Sequence, residues 1–257
     1  MRSAQKRTFC LALVFMSVLF INLSANADEI RLTSCNWEPY TGEDLEDYGF
    51  TAEILSEAFK RTGHRVSFTF LPWERALLKS AQGTYDGLYS AYYTEERART
   101  YLVSEPYCSS TVVLCARKGS PVTFSTLEDL SPYRIGTVRG YANSVEFDAA
   151  DYLTKEEVPS DLINIRKLVN KRIDLMVVDT YVVLYLLDKE GIQEDVEFLS
   201  PPLDRKPLHV MFSRRVEGYD KKCADFNKGL KEIREDGTYN QILRRHGFGE
   251  LIRDEQK

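Results

Sequence analysis

The 257-residue sequence has few of the residues that build metal centres and disulfide scaffolds. It contains three histidines and five cysteines, and none of them stands at the spacing of a zinc site. The cysteine spacing is also unlike that of a small disulfide-stabilised domain, so we expect Cys35, Cys108, Cys115 and Cys223 to be thiols. The sequence therefore predicts no metal and no other cofactor.

Positive charge and catalytic motifs are scarce as well. The 34 lysines and arginines are outnumbered by 39 aspartates and glutamates, which gives a net charge of −5. An acidic chain without a basic run argues against nucleic acid or an anionic membrane as a partner. The sequence has no Gly-x-Ser-x-Gly elbow and no glycine-rich nucleotide loop. No spacing of acidic residues singles out a catalytic pair, so we predict no catalytic residues.

One long apolar run is present, and it lies at the N-terminus. Residues 10–23 are apolar, three basic residues precede them, and Ala25-Asn26-Ala27 matches a cleavage site. We expect residues 1–27 to be a cleaved signal peptide, which leaves a mature chain of net charge −8. The alternative is an uncleaved membrane anchor, for which the run is short. We therefore expect a soluble protein outside the cytoplasm.

The first part of the mature chain alternates strand and helix patterns. Strands are predicted at 30–35, 65–71 and 87–91, with helices between them. The first helix has an apolar face made of Phe50, Ile54, Leu55, Ala58 and Phe59. The order β-α-β-α-β predicts a parallel sheet with right-handed crossovers.

A second α/β set follows a break at 118–121. Strands are predicted at 134–138 and 174–178, and the apolar run 181–187 predicts a well-buried helix. The prolines between 201 and 207 indicate a second crossing between two lobes. A long C-terminal helix is predicted from Tyr219.

Residues 72–97 contain the first candidate ligand contacts. Trp73 follows one predicted strand and Arg97 follows the next, and both places lie at the carboxyl edge of a parallel sheet. Arg97 is either a solvated residue paired with a nearby glutamate or a guanidinium that binds a ligand carboxylate. Arg75 is either a surface residue of the helix or a second anion contact.

Asp179 and the segment 139–141 are the candidates in the second half. Asp179 ends an apolar strand, where it could cap the following helix, receive a ligand ammonium group, or do both. Arg139-Gly140-Tyr141 follows a strand and is predicted to precede a helix. It is either a tight turn or a set of backbone N–H groups that binds an anion.

Three large aromatic residues, Trp37, Tyr40 and Trp73, occupy loop positions after strands. They either pack at the edge of the core or form flat walls around a small ligand.

Several segments along the mature chain match known sequence motifs: Trp37-Glu38-Pro39-Tyr40, Tyr48-Gly49-Phe50, Thr94-Glu95-Glu96-Arg97, Leu127 to Val138, Val178-Asp179 and Asp236-Gly237-Thr238-Tyr239. In these segments the chain resembles the periplasmic solute-binding proteins of family 3, the polar amino acid binders of ABC importers. The resemblance implies an α/β, two-lobed fold, in which each lobe is a mostly parallel sheet flanked by helices and two strands form the hinge. Lobe 1 would comprise 28–116 and 206–257, and lobe 2 would comprise 117–205.

The resemblance also implies the roles of the candidate residues. Arg97 would bind the α-carboxylate and Asp179 the α-ammonium group of an amino acid or related carboxylate, between Trp37 and Trp73. Backbone groups near Ser90 and Tyr92, and near Gly140-Tyr141, would complete the carboxylate cradle. Ser90 to Tyr93 are bulkier than the family's usual glycine-rich equivalent.

The expected protein is a periplasmic monomer that delivers its ligand to an ABC permease. Two alternatives share this scaffold. One is a cyclohexadienyl dehydratase-like enzyme with Asp179 or Glu74 as its acid or base, and the other is a ligand-sensing partner of a membrane receptor.

Overall fold

The computed structural model describes residues 29–254, so the predicted signal peptide lies outside the described residues. Ten strands occur in this range: β1 (Glu29–Ser34), β2 (Arg65–Phe70), β3 (Gly87–Tyr92), β4 (Tyr101–Val103), β5 (Cys108–Arg117), β6 (Arg134–Val138), β7 (Thr154–Val158), β8 (Leu175–Asp179), β9 (Val196–Phe198) and β10 (Asp204–Ser213). The α-helices of the described residues are α1 (Phe50–Arg61), α2 (Trp73–Ala81), α3 (Glu95–Thr100), α4 (Val145–Ala149), α5 (Asp161–Val169), α6 (Thr180–Glu190), α7 (Tyr219–Glu235), α8 (Thr238–Arg245) and α9 (Leu251–Asp254). Short 3-10 helices lie at Glu46–Tyr48, Leu127–Leu130 and Gln193–Asp195. Between residues 29 and 254, no helix combines the length and the hydrophobicity needed to cross a bilayer.

The strands form one continuous mixed sheet, in the order β2-β1-β3-β10-β5-β8-β6-β7. Its two ends are parallel, because β1 pairs in parallel with β2 and β3, and β6 pairs in parallel with β7 and β8. Between the ends, β10 and β5 pair antiparallel with each other and with their outer neighbours β3 and β8. The predicted α/β class and the parallel β1-β2-β3 unit are confirmed.

The long strands β5 and β10 connect the two parallel ends. Each is ten residues long, and Cys108–Val112 of one pairs with Asp204–Leu208 of the other. The predicted lobe boundaries, after residues 116 and 205, fall inside these two strands. The assignment of residues to lobe 1 and lobe 2 stays a prediction, and we use the two names for the ranges given above.

Some local predictions were wrong. The run 181–187 was expected to be buried on nearly all sides, but Leu184 is 46% exposed because α6 covers the sheet with one face only. The short strands β4 and β7 have no strong apolar period and were not predicted. Cys115 and Cys223 are buried in the described part of the chain, and their thiol state stays a prediction.

The core of lobe 1 depends on a close contact between α1 and α7. The predicted apolar face of α1 is fully buried, and Phe226 and Leu230 of α7 pack against it. Gly229 allows this approach: a Cβ atom added there would lie 1.8 Å from the carbonyl oxygen of Ala58. Any side chain at position 229 must therefore push the two helices apart.

We expect Gly229→Ala to destabilise the protein by about 1–3 kcal/mol, since overpacking strains the core more than the alanine helps the helix. The neighbouring Lys228 is exposed, and Lys228→Ala is the matched control, with an expected change within about 0.5 kcal/mol. Urea unfolding measures both variants. Equal stability of Gly229→Ala and the wild type would show that the helix contact is loose.

Candidate functional site

A small cavity lies where the carboxyl ends of β1 and β3 face the loop after β6. Its volume is about 20 Å³, which is room for about one water molecule. The lining residues are Cys35, Trp37, Trp73, Ser90, Tyr92, Arg97, Tyr141 and Ala142. The cavity thus brings together six of the predicted site residues, and it adds Cys35 and Ala142. An outer groove of about 1090 Å³ adjoins it and shares Arg97, Tyr141 and Ala142.

Arg97 crosses from lobe 1 to lobe 2. Its backbone N–H donates to the Thr94 side chain, which caps α3 and fixes the position of the residue. The guanidinium donates to the carbonyl oxygens of Tyr92 at 2.7 Å and Gly140 at 2.8 Å. Burial lowers the pKa of Arg97 from its ordinary value, but arginine stays protonated in proteins. The guanidinium is therefore a cation whose acceptors here are neutral carbonyl groups.

Trp73 and Gly140 form a second contact between the lobes. Trp73 lies in the first turn of α2 rather than before the helix, and its indole N–H donates to the Gly140 carbonyl at 2.9 Å. The Arg97 guanidinium carbon lies 5.4 Å from the centre of the Trp73 ring. Gly140 has a φ of +75°, which disfavours any residue with a Cβ atom. The Gly140 carbonyl oxygen thus accepts hydrogen bonds from both Arg97 and Trp73 of lobe 1.

Trp37 and Tyr40 form a stacked pair at the other wall. Their ring centres are 4.5 Å apart, and the edge of Trp37 meets Tyr92. Trp37 lines the cavity, whereas Tyr40 is fully buried behind it. The Tyr40 hydroxyl donates to Asp179 Oδ2 at 3.1 Å. Tyr40 therefore lies behind Trp37 and contacts Asp179, and it does not line the cavity.

Asp179 caps α6, which was one of the two roles predicted for it. Asp179 Oδ1 accepts the backbone N–H groups of Tyr181 and Val182 at 2.9 and 3.0 Å. The side chain is 4% exposed and does not line the cavity. Burial raises the pKa of Asp179 to about 6, although its hydrogen bonds oppose the rise. A ligand ammonium group could reach this carboxylate only if Tyr40 or the cleft moved.

A second buried carboxylate, Asp161, was missed by the sequence reasoning. It is the first residue of α5 and is 5% exposed. Its Oδ2 accepts a hydrogen bond of 3.3 Å from the hydroxyl of Tyr141, which lines the cavity, and its Oδ1 has no partner. Burial raises the pKa of Asp161 to about 7, and the nearby Asp179 carboxylate adds to the rise. An acidic residue at a helix start looks like an ordinary cap in sequence, so only the fold exposes its burial.

Most of the backbone N–H groups predicted to bind an anion already donate hydrogen bonds within the protein. Ser90 has a left-handed φ of +55°, and its N–H donates to the Tyr107 hydroxyl at 2.8 Å. The N–H groups of Arg139 and Tyr141 donate to the Val158 and Val138 carbonyl oxygens. The helix predicted to follow this segment is α4, which begins at Val145.

Arg75 and the Arg139 side chain lie outside the cavity. Arg75 is exposed on α2 and lines neither the cavity nor the groove. Arg139 is about half exposed and lies 3.8 Å from Glu74 and 3.8 Å from Glu157. Both ion pairs are exposed, and such pairs contribute little to stability.

One group of described residues has the geometry of a metal site, although the sequence did not suggest it. Ligand atoms of Asp47, Glu53 and His246 lie within 4.8 Å of one another. Glu53 also pairs with Arg245, and His246 Nε2 is 2.7 Å from its carboxylate. The guanidinium already neutralises the carboxylate, so this group is best described as an ion-pair network that attaches α8 to α1.

Comparison with known proteins identifies the family. The model of the bacterial extracellular solute-binding proteins, family 3, matches residues 32–250. The chain belongs to this family. The lysine/arginine/ornithine-binding periplasmic protein of Escherichia coli (strain K12) is 24% identical over 249 residues, which cover 91% of this chain and 93% of that protein. The L-cystine-binding protein TcyA of Bacillus subtilis (strain 168) is 22% identical, with 86% and 81% covered.

A solved structure shows the same fold. It is a histidine kinase sensor domain with similarity to periplasmic binding proteins, 19% identical, with a TM-score of 0.77 over 86% of this chain and 96% of that chain. The predicted two-lobed binding-protein fold is confirmed. Family 3 consists of solute-binding proteins and these relatives are named as binding proteins, so the comparisons support the predicted binding function rather than the dehydratase alternative.

The buried carboxylate of this family 3 protein gives a prediction about pH. The pKa of Asp161 is about 7 in the folded state and near 4 when unfolded, so the folded state binds more protons between these values. The free energy of unfolding should therefore fall as the pH rises from about 4 to 7. We expect Asp161→Asn to be about 1–3 kcal/mol more stable than the wild type at pH 8, and to lose most of this advantage near pH 5.

Urea unfolding of the ligand-free protein at the two pH values measures this effect. Asp188→Asn is the control, because Asp188 is an exposed carboxylate at the other end of α6 from Asp179. It should leave stability unchanged at both pH values. The same stability difference for Asp161→Asn at pH 5 and pH 8 would contradict a buried, titrating carboxylate.

Proposed function

We propose that the protein captures a single amino acid, or a related small carboxylate, in the cleft between its lobes. The carboxylate would bind the Arg97 guanidinium, and the α-ammonium group would lie towards Asp179. Trp37 and Trp73 would cover the two faces of the ligand. The amino acid ligands named for the E. coli and B. subtilis relatives support this ligand class.

The observation that carries the proposal is the pairing of Arg97 with neutral carbonyl oxygens. A guanidinium gains more from a carboxylate, with which it forms two parallel, charge-assisted hydrogen bonds, than from carbonyl groups. A ligand carboxylate could replace the Gly140 carbonyl after a small opening of the cleft. The cavity of about 20 Å³ is too small for an amino acid, so binding must include this opening and reclosure.

Export to the periplasm and delivery to an ABC permease complete the proposal. The apolar N-terminal run with its cleavage pattern supports export. Binding favours whichever lobe arrangement holds the ligand more tightly, and a permease would recognise that closed arrangement. We propose a monomer, since one chain contains every part of the cleft.

The likeness to a sensor domain favours a second candidate function, in which the closed form is read by a membrane receptor. Both functions require the same ligand and the same closure. Co-purification of the ligand-loaded protein with a permease complex would support transport, and co-purification with a receptor ectodomain would support sensing.

We expect Arg97→Ala to weaken amino acid binding by about 2–5 kcal/mol, roughly 30-fold to several thousand-fold, because the ligand carboxylate loses its cation. Arg75→Ala is the matched control, since it removes an exposed arginine of the same lobe, and its dissociation constant should stay within about twofold. A thermal-shift screen of the amino acids first identifies the ligand, because a ligand at 100 times its dissociation constant adds about 2.7 kcal/mol of stability. Isothermal titration calorimetry then compares the variants. An unchanged dissociation constant for Arg97→Ala would reject the carboxylate contact.

Intrinsic fluorescence should report binding directly. The two tryptophans of the sequence, Trp37 and Trp73, both line the cavity, so their emission should change when the ligand replaces the nearby protein contacts and water. We expect Trp37→Phe and Trp73→Phe each to keep part of this change, because one indole remains at the ligand in either variant. No change in the wild type at saturating ligand would place the ligand elsewhere.

A further inference from the structure

Asp161 is the least satisfied charged group at the cleft. The residue is 5% exposed, and Oδ1 has no hydrogen-bond partner in the part of the chain that the structure describes. Its other oxygen accepts one bond, of 3.3 Å, from the Tyr141 hydroxyl. An ionised carboxylate can accept about four hydrogen bonds, so the ligand-free cleft leaves most of its capacity unused. Native proteins seldom keep such a group without a reason.

Asp161 lies directly behind Tyr141 and does not itself line the cavity. Tyr141 lines the cavity, and its hydroxyl also lies 3.8 Å from the thiol of Cys35, which lines the opposite side. The Asp161 charge also contributes to the raised pKa values of Cys35 and of the cavity residue Tyr92. Asp161 is therefore close to the space that a bound ligand would occupy, with one phenol between them.

The nearby cations do not neutralise Asp161. Arg97 donates to the Tyr92 and Gly140 carbonyl oxygens. Lys206 lies over the Tyr92 ring at 5.3 Å, and its ion-pair partner is Asp204 at 3.6 Å. The site thus holds two buried carboxylates, Asp161 and Asp179, and neither forms an ion pair within residues 29–254.

We propose that Asp161 accepts a second cationic group of the ligand, so that the cleft selects amino acids with a positively charged side chain. The proposal rests on the proposed function, in which Arg97 binds the α-carboxylate and Asp179 the α-ammonium group. A zwitterion satisfies Arg97 and Asp179 but leaves Asp161 unpaired. A ligand with one more positive charge completes the pairing, and it gives Oδ1 the donor that the protein does not supply.

The negative charge of Asp161 also makes a neutral donor a poorer partner for Oδ1 than a cation. A water molecule or an amide could bond to Oδ1, but it would leave the negative charge of Asp161 uncompensated beside that of Asp179. Two like charges in a buried site disfavour ionisation of both. A ligand cation removes this repulsion, and its charge-assisted bond is about twice as strong as a neutral one.

The test uses L-arginine and its neutral isostere L-citrulline, which differ in the charge of the side chain. We expect the wild type to bind arginine roughly ten- to hundredfold more tightly than citrulline, in line with a hydrogen bond to a charged group. Asp161→Asn should remove most of this preference, because it weakens the binding of arginine and leaves the binding of citrulline nearly unchanged. Asp188→Asn, which removes a carboxylate from the far end of α6, should keep it. Calorimetric titration of the three proteins measures the ratio.

The outcomes separate this proposal from the proposed function. If neutral or acidic amino acids bind and arginine has no advantage, the role of Asp161 is overturned and the binding function stands. If Asp161→Asn prefers arginine as strongly as the wild type, the role is likewise overturned. If no amino acid binds the wild type, both proposals fail.

A second measurement needs no variant. In the wild type, the arginine-to-citrulline affinity ratio should rise between pH 5.5 and pH 8 as Asp161 ionises, and a flat ratio would overturn the proposal. The titratable groups facing Asp161 are Tyr141, Cys35, Tyr92 and Asp179. Burial raises the pKa of Cys35 to about 12 and holds the pKa values of Tyr92 and Tyr141 well above 10, so these groups stay neutral in this range. Asp179 binds the ammonium group common to both ligands, so this contact cancels in the ratio, and its charge affects only the pH at which Asp161 ionises.

Discussion

The contact on which the cleft depends is the Gly140 carbonyl group, which accepts hydrogen bonds from Arg97 and Trp73 together. Both donors come from lobe 1 and the acceptor comes from lobe 2, so this oxygen links the lobes without a ligand, as does the hydrogen bond from Tyr40 to Asp179. A ligand carboxylate would compete for the same guanidinium with a stronger, charge-assisted pair. The affinity of the cleft is then a difference between two sets of bonds, and it is smaller than the full strength of the arginine–carboxylate pair.

The acidic side of the cleft holds two carboxylates that differ in their hydrogen-bond partners. One oxygen of Asp179 accepts the backbone N–H groups at the start of α6, and the other accepts the Tyr40 hydroxyl. Asp161 Oδ1 has no donor within the described residues. Keeping two carboxylates in one buried region costs stability, which the raised pKa values of both groups reflect. Binding sites commonly hold such groups because the bound partner, and not the fold, completes their pairing.

The sequence predicted the fold well where a periodic pattern extended over a whole element. The apolar face of α1 and the chain order of β1, β2 and β3 follow from such patterns, and α7 begins where it was expected. The short strands β4 and β7 are too short to show a period, and their positions depend on neighbours distant in sequence. In the site, residues that follow strands were predictable because strand ends meet at one edge of a sheet. Asp161 was not, since its burial depends on Tyr141 and Cys35, which other loops supply.

The continuous sheet adds a mechanical constraint to this site. Each crossing strand pairs with a parallel end of the sheet, β10 with β3 and β5 with β8. Only the two crossing strands therefore separate β3, which carries Tyr92, from β8, which carries Asp179. A bend in β5 and β10 would therefore change the separation of Arg97 from Gly140. Ligand contacts on both sides favour the bend that brings the lobes together. Any membrane partner that recognises the relative position of the lobes would thus detect occupancy without touching the ligand.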